Sequence, residues 1–156
     1  MIVSGVAAEK QDILTGDPDE WESMLAINTL APMRLTRAFA PAMAKRGRGA
    51  IVTVGSLAGT FASAGSAPYA SSKWGVRGWV LSTYEELRKH GINTMVIEPG
   101  FVATDMVVHN ERLVPDKMIK PEDVAEAALL PLHLGPNATP LELTLKCVLR
   151  PYKGAA

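Results

Sequence analysis

The chain has 156 residues, 47% of them hydrophobic, which is enough for one compact domain over residues 1–156 with its own core. Lys plus Arg number 16 and Asp plus Glu 16, so no net field recruits nucleic acid or an anionic membrane. The single cysteine, Cys147, excludes an internal disulfide and fits a reducing, cytoplasmic setting; residues 1–10 lack a secretory signal's basic start and apolar run, and no apolar stretch nears the roughly 20 residues a membrane span needs.

Residues 1–6 are short and apolar and are expected to form the tail of a buried strand. Asp17-Pro18-Asp19-Glu20 opens a helix, with Asp17 as N-cap, Pro18 at the first helical position and acids in the first turn. Its pattern runs through Trp21, Met24, Leu25, Ile27, Asn28, Leu35 and Phe39 to about Lys45, with a kink or stepped end expected at Pro32 and Pro41. Lys45-Arg46-Gly47-Arg48-Gly49 reads as a solvated basic turn. The β-branched run 50–54, bounded by glycines, predicts a buried parallel strand. A Gly/Ala/Ser-rich loop over 55–68 follows, then a helix over 69–88 closed by His90-Gly91. Residues 93–97 predict a strand ended by Pro99-Gly100, residues 121–132 a helix, and 141–149 a last strand.

Strands alternating with helices imply a parallel sheet with crossover helices, and hence an α/β fold. Ligands of such sheets sit beyond the carboxyl ends of the strands, where Ser56 and Gly100 fall. Tyr69 and Lys73 are four residues apart and share a helix face. A cation beside a phenol favours the phenolate, so Tyr69 could exchange a proton nearer neutrality than its ordinary pKa of about 10. His109 and His133 have no ligand-spaced partners, so no metal site is expected. His90 suits a helix C-terminus, and Trp74 and Trp79 suit packing or subunit contact.

With Asn28 in Ile27-Asn28-Thr29, Val54-Gly55-Ser56-Leu57-Ala58-Gly59, Tyr69-Ala70-Ser71-Ser72-Lys73 and Pro99-Gly100-Phe101-Val102-Ala103-Thr104, the chain resembles a short-chain dehydrogenase/reductase from residue 1 to about residue 130. The resemblance implies a Rossmann-like, doubly wound parallel sheet between helical layers, here N-terminally truncated, and hydride transfer between NAD or NADP and a carbonyl or secondary alcohol. Tyr69 would be general acid/base, and Lys73 would lower the tyrosine pKa and hold the cofactor ribose. Ser56 would hydrogen-bond the substrate oxygen, and Asn28 would anchor a water linking Lys73 to solvent. Pro99, Gly100, Val102 and Thr104 would lie along the nicotinamide. Gly5 is the surviving position of a family Asn-Asn-Ala-Gly segment, here Ile2-Val3-Ser4-Gly5, and would also face the cofactor. Residues 101–116 would cover the substrate, with Met106, Val107, Val108 and Leu113 as an apolar lining. The helices carrying Asn28 and Tyr69 would form a homo-oligomer interface.

The family's opening strand, Gly-rich turn and helix cradle the pyrophosphate on backbone N–H groups, and no such fingerprint occurs in this sequence. The match is expected to begin at the end of the family's fourth strand, with on the order of 80 residues preceding it at about 30 per βαβ unit. The fourth strand would then be an exposed edge. Three readings follow: an oxidoreductase whose sequence is incomplete, a non-catalytic half-length homologue acting as an interaction or regulatory protein, and a subunit completed by another chain. Cofactor binding by the short chain is expected to be weak.

Overall fold

The computed structural model describes residues 2, 5–7 and 12–154. Three parallel strands form a sheet in the order β1 (Gly49–Val54), β2 (Ile92–Pro99), β3 (Glu142–Leu145). Gly49 lies opposite Ile92 and Val54 opposite Ile97, while Val96 to Pro99 lie opposite Glu142 to Leu145. On the outer side of β1, Ile2 pairs with Thr53 in parallel: its N–H donates to the Val52 carbonyl and its carbonyl accepts from Val54. That bridge is the described paired part of the expected first strand, while Gly5 and Val6 are outside any strand because Asn28 binds the Val6 backbone instead; Met1, Val3 and Ser4 lie outside the described residues.

The pleat sends alternate side chains to opposite faces. Val52, Met95 and Ile97 pack with Ile119 and with Val124 and Ala128 of α5 (Pro121–Ala128). On the other face Ile51 and Ile92 pack against Ala40 of α2 (Ala31–Arg46), and the long helix α3 (Ala67–Leu87) lies over β2. Helices therefore cover both faces, as the doubly wound reading requires.

Several boundaries differ from the sequence expectation, each for a local reason. The first long helix is not one piece. α1 (Pro18–Leu25), capped by Asp17 accepting from the Asp19 N–H at 2.9 Å, gives way to a wide π turn at Ala26–Leu30 before α2. Pro32 has no N–H, and in α register its ring would strike the carbonyl four residues back, that of Asn28. The π turn moves that carbonyl aside. Pro41 produces no break and sits inside α2, which ends on Gly47 at φ 67°. The 121–132 helix is also split, with α5 ending at Ala128 and a short α6 at Leu130–His133 carrying Pro131 in its first turn. β2 runs to Pro99, beyond the expected 97. The last strand is only Glu142–Leu145, because the chain beyond it turns back: Val114 N–H donates to the Pro151 carbonyl, and Tyr152 meets Phe101 edge-on at 5.6 Å. A short helix α4 (Asp105–Val108) in the 101–116 segment was not expected.

Candidate active site

Three elements meet at the carboxyl edge of the sheet: the turn after β1, the first two turns of α3, and the end of β2. Pro68 in the first turn of α3 pre-sets its backbone, and the helix then places Tyr69 and Lys73 on one face. The Lys73 ammonium lies 5.7 Å from the centre of the Tyr69 ring. Ser56 follows β1 with extended backbone, and its Oγ accepts from the Ala58 N–H at 3.1 Å, capping the 3₁₀ turn Leu57–Gly59. Gly59 is needed there, since a Cβ on it would stand 2.9 Å from the Lys73 carbonyl oxygen. The serine turn thus packs directly on the backbone of α3.

Burial governs the proton affinities of this pair. It raises Tyr69 above its ordinary value of 10.0, and a hydrogen bond with Ser56 partly offsets the rise. Lys73, only 2% exposed, is pushed down from 10.5 to about 8 because a buried ammonium loses its hydration. The phenol is therefore moved by burial and by Ser56, and the expected lowering by Lys73 is not the dominant influence on it.

Asn28 lies in the π turn and is 1% exposed. Its carboxamide clamps Val6, accepting from the Val6 N–H and donating to the Val6 carbonyl, both at 2.9 Å, and Nδ2 also lies 3.0 Å from Ser72 Oγ. Thr29 Oγ1 donates to the Ser72 carbonyl at 2.9 Å. The Asn28 side chain is thus committed to binding the 5–7 segment to α3, which leaves its backbone carbonyl for the expected water. The Asn28 carbonyl has no helical donor at position 32, because that residue is proline.

The clamp leaves Gly5 over the site, where a Cβ would be 3.5 Å from Lys73 Nζ and 3.7 Å from Met106 Cε. Pro99 is buried at the end of β2, and the Gly100 N–H donates to the Leu145 carbonyl at 2.8 Å. Val102 is half-buried and pairs with Ile119, and Thr104 is exposed, with its N–H on the Val102 carbonyl at 2.8 Å. Ser56, Tyr69, Lys73, Gly5 and Pro99-Gly100 are thus gathered at one edge. Of the expected apolar lining, Met106 is exposed and Val107 half-buried, but Leu113 is 3% exposed and belongs to the core; the Val108 side chain lies outside the described residues. Among the described residues no group of three or more His, Cys, Asp or Glu could hold a metal ion, and no helix is long and apolar enough to cross a membrane.

Sequence reasoning missed Ser72 and Glu98. Ser72 lay inside the Tyr-to-Lys segment without a role. Glu98 was legible as a signal: an acid directly before Pro99-Gly100 at the end of an otherwise apolar strand, here 2% exposed.

The parallel sheet with helices on both faces is a Rossmann-type α/β architecture. Residues 1–113 match the family described as short chain dehydrogenase, and the chain belongs to that family. It is 41% identical over 88 residues to the 3-oxoacyl-(acyl-carrier-protein) reductase FabG of Salmonella typhimurium, covering 56% of this chain and 36% of that protein. It is 34% identical over 137 residues to the (3R)-3-hydroxyacyl-CoA dehydrogenase of Homo sapiens, covering 80% and 52% respectively. A crystal structure of a metagenomic short-chain oxidoreductase in complex with NADP superposes with a TM-score of 0.76 at 31% identity, covering 95% of this chain and 61% of that one. The chain spans about half the length, or less, of these two curated relatives.

Proposed function

We propose that the chain is the catalytic portion of an NAD(P)-dependent oxidoreductase that interconverts a carbonyl and a secondary alcohol. The observation that carries this is the convergence of the Ser56 hydroxyl, the Tyr69 phenol and the Lys73 ammonium at the carboxyl edge, beside Pro99-Gly100. The nicotinamide, when bound, supplies or takes up the hydride. Tyr69 gives its proton to the substrate oxygen in reduction and takes it back in oxidation. Ser56 donates to the same oxygen and favours its developing charge. Lys73 keeps a positive charge beside the phenol and holds the cofactor ribose, and the Asn28 carbonyl anchors the water that leads its proton to solvent.

The residues fit the nicotinamide end of such a cofactor. The close approach of the Gly5 backbone to Lys73 leaves main chain where a ribose would need it, and Pro99, Gly100, Val102 and Thr104 follow along the nicotinamide. Among the described residues the Gly-containing turn between β1 and α3 carries Ser56 and packs Gly59 on the Lys73 carbonyl, and none has the Gly-x-x-x-Gly-x-Gly form that cradles a pyrophosphate. Calorimetric titration with NADH and NADPH is accordingly expected to show weak binding, and micromolar affinity would contradict it. At high cofactor concentration, reduction of a carbonyl panel beginning with 3-oxoacyl thioesters, the class named for the Salmonella relative, should fall about 10²–10⁴-fold on Tyr69→Phe. A Tyr69→Phe rate near wild type would remove Tyr69 from the reaction, and no cofactor-dependent rate in the wild type would remove the enzyme reading for this chain.

A second copy as partner is supported by the apolar side chains that the Asn28 and Tyr69 helices leave in solvent. Ile27, Leu30, Leu35, Phe39 and Trp74 are 41–57% exposed, and a partner subunit packed on these helices would cover them.

A further inference from the structure

Arg77 continues the row of Tyr69 and Lys73 along α3, one helical turn further on. Its Nε donates to Glu142 Oε1 of β3 at 2.6 Å and lies 3.3 Å from Glu98 Oε1 of β2. The Glu98 side chain is 3% exposed, against 35% for Glu142. With the Nε–H directed to Glu142, Glu98 Oε1 is fully enclosed and makes no hydrogen bond. An isolated buried carboxylate is costly unless paired, and burial raises the Glu98 pKa against the opposing pull of Arg77. An apolar side chain would close this part of the sheet without that cost, so the position calls for an explanation beyond packing.

Its surroundings supply one. A Cβ on Gly59 would stand 3.6 Å from Glu98 Oε1 as well as 2.9 Å from the Lys73 carbonyl oxygen, and one on Gly55 would stand 3.7 Å from Glu98 Cγ. Glu98 therefore lies where the serine turn, the Tyr69–Lys73 helix and the strand leading into Pro99-Gly100 come together. We infer that Glu98 and Arg77 are positioning residues. Together they fix the height of α3 over the end of β2, and with it the alignment of the Tyr69 phenol on Ser56, while Glu142 holds Arg77 from the outer strand. The inference rests on the oxidoreductase reading for its purpose, but its physical content concerns the protein alone.

The test is therefore an ultraviolet titration of the Tyr69 phenol in the full chain, taken as the difference from Tyr69→Phe, in wild type and in Glu98→Gln. Misalignment weakens the Ser56 hydrogen bond that holds the phenol down, so Glu98→Gln should raise the Tyr69 pKa by about half a unit or more. A through-space charge effect has the opposite sign, since removing a nearby anion favours the phenolate and lowers the pKa. Either a fall, or an unchanged pKa with only a lower Tm, would overturn the inference. Arg77→Lys keeps the charge but loses the Nε–H that reaches Glu142 beside Glu98. It should shift the phenol in the same direction by less, and it provides the same test if Glu98→Gln does not fold. Where the wild type turns over, Glu98→Gln should lower kcat about tenfold at unchanged KM for the carbonyl. A wild type without turnover would sink the functional reading and leave the titration to decide the positioning role.

Discussion

At the carboxyl edge of the sheet Asn28, Lys73 and Glu98 are each 2% exposed or less, whereas at the amino edge Arg46, Arg48, Arg88, Lys89 and His90 all stand in solvent. Both edges are polar, but the polar groups have opposite relations to stability. The basic residues of the amino edge cluster around the last turn of α2 and in the 3₁₀ turn Arg88–His90 that follows α3, beside the left-handed glycines Gly47 and Gly91, where positive charge suits the helix dipole. They stabilise modestly and cost nothing in desolvation. The carboxyl edge instead encloses an ammonium, a carboxylate and a phenol, whose proton affinities burial has moved. In a parallel α/β sheet the helices run back from the carboxyl edge, so their basic last turns gather at the amino edge. That makes the amino edge a product of helix chemistry, whereas buried ionisable groups at the carboxyl edge point to function.

Substitution separates the two edges. The largest stability effect is expected from Asn28→Ala, which removes three hydrogen bonds, two of them to the backbone of Val6. It should cost about 2–4 kcal/mol in chemical denaturation. A loss below about 1 kcal/mol would show that the 5–7 segment is held by other contacts.

Lys73→Met should act in the other direction. The native ammonium titrates near 8 against its ordinary 10.5, so between those values the unfolded chain binds more protons than the folded one, and stability rises with pH. Below pH 8 the penalty is fully present, with a ceiling of about 3 kcal/mol. With that penalty gone the variant's stability should no longer rise between pH 8 and 10.5, and any activity should be lost. Equal pH profiles in the two proteins would refute a depressed lysine. The smallest effect belongs to the amino edge, where Arg48→Ala should change stability by no more than about 0.5 kcal/mol; a larger loss would mean that this edge, too, is built around a specific contact.

The parallel α/β order and the grouping of Ser56, Tyr69 and Lys73 as a candidate site were legible in the sequence because both rest on local regularities. Strand runs, helix caps and the four-residue spacing on α3 are fixed within a few residues, and the site lies where such strands end. The breaks at the π turn and between α5 and α6 were less legible, since Pro32, Pro41 and Pro131 all look alike in sequence. Pro41 is accommodated within its helix, while Pro32 and Pro131 stand in the first turns of new ones. What only the tertiary structure decided are the pairings across long separations. The Asn28 carboxamide reaches Val6 and Ser72, 22 and 44 residues away, and Arg77 reaches Glu142 across 65. Such contacts depend on which faces the packed core brings together, and burial then sets how strongly Lys73 and Glu98 are perturbed. Sequence alone determined which residues could do the chemistry; packing determined which of them are enclosed, and therefore at what cost they are kept.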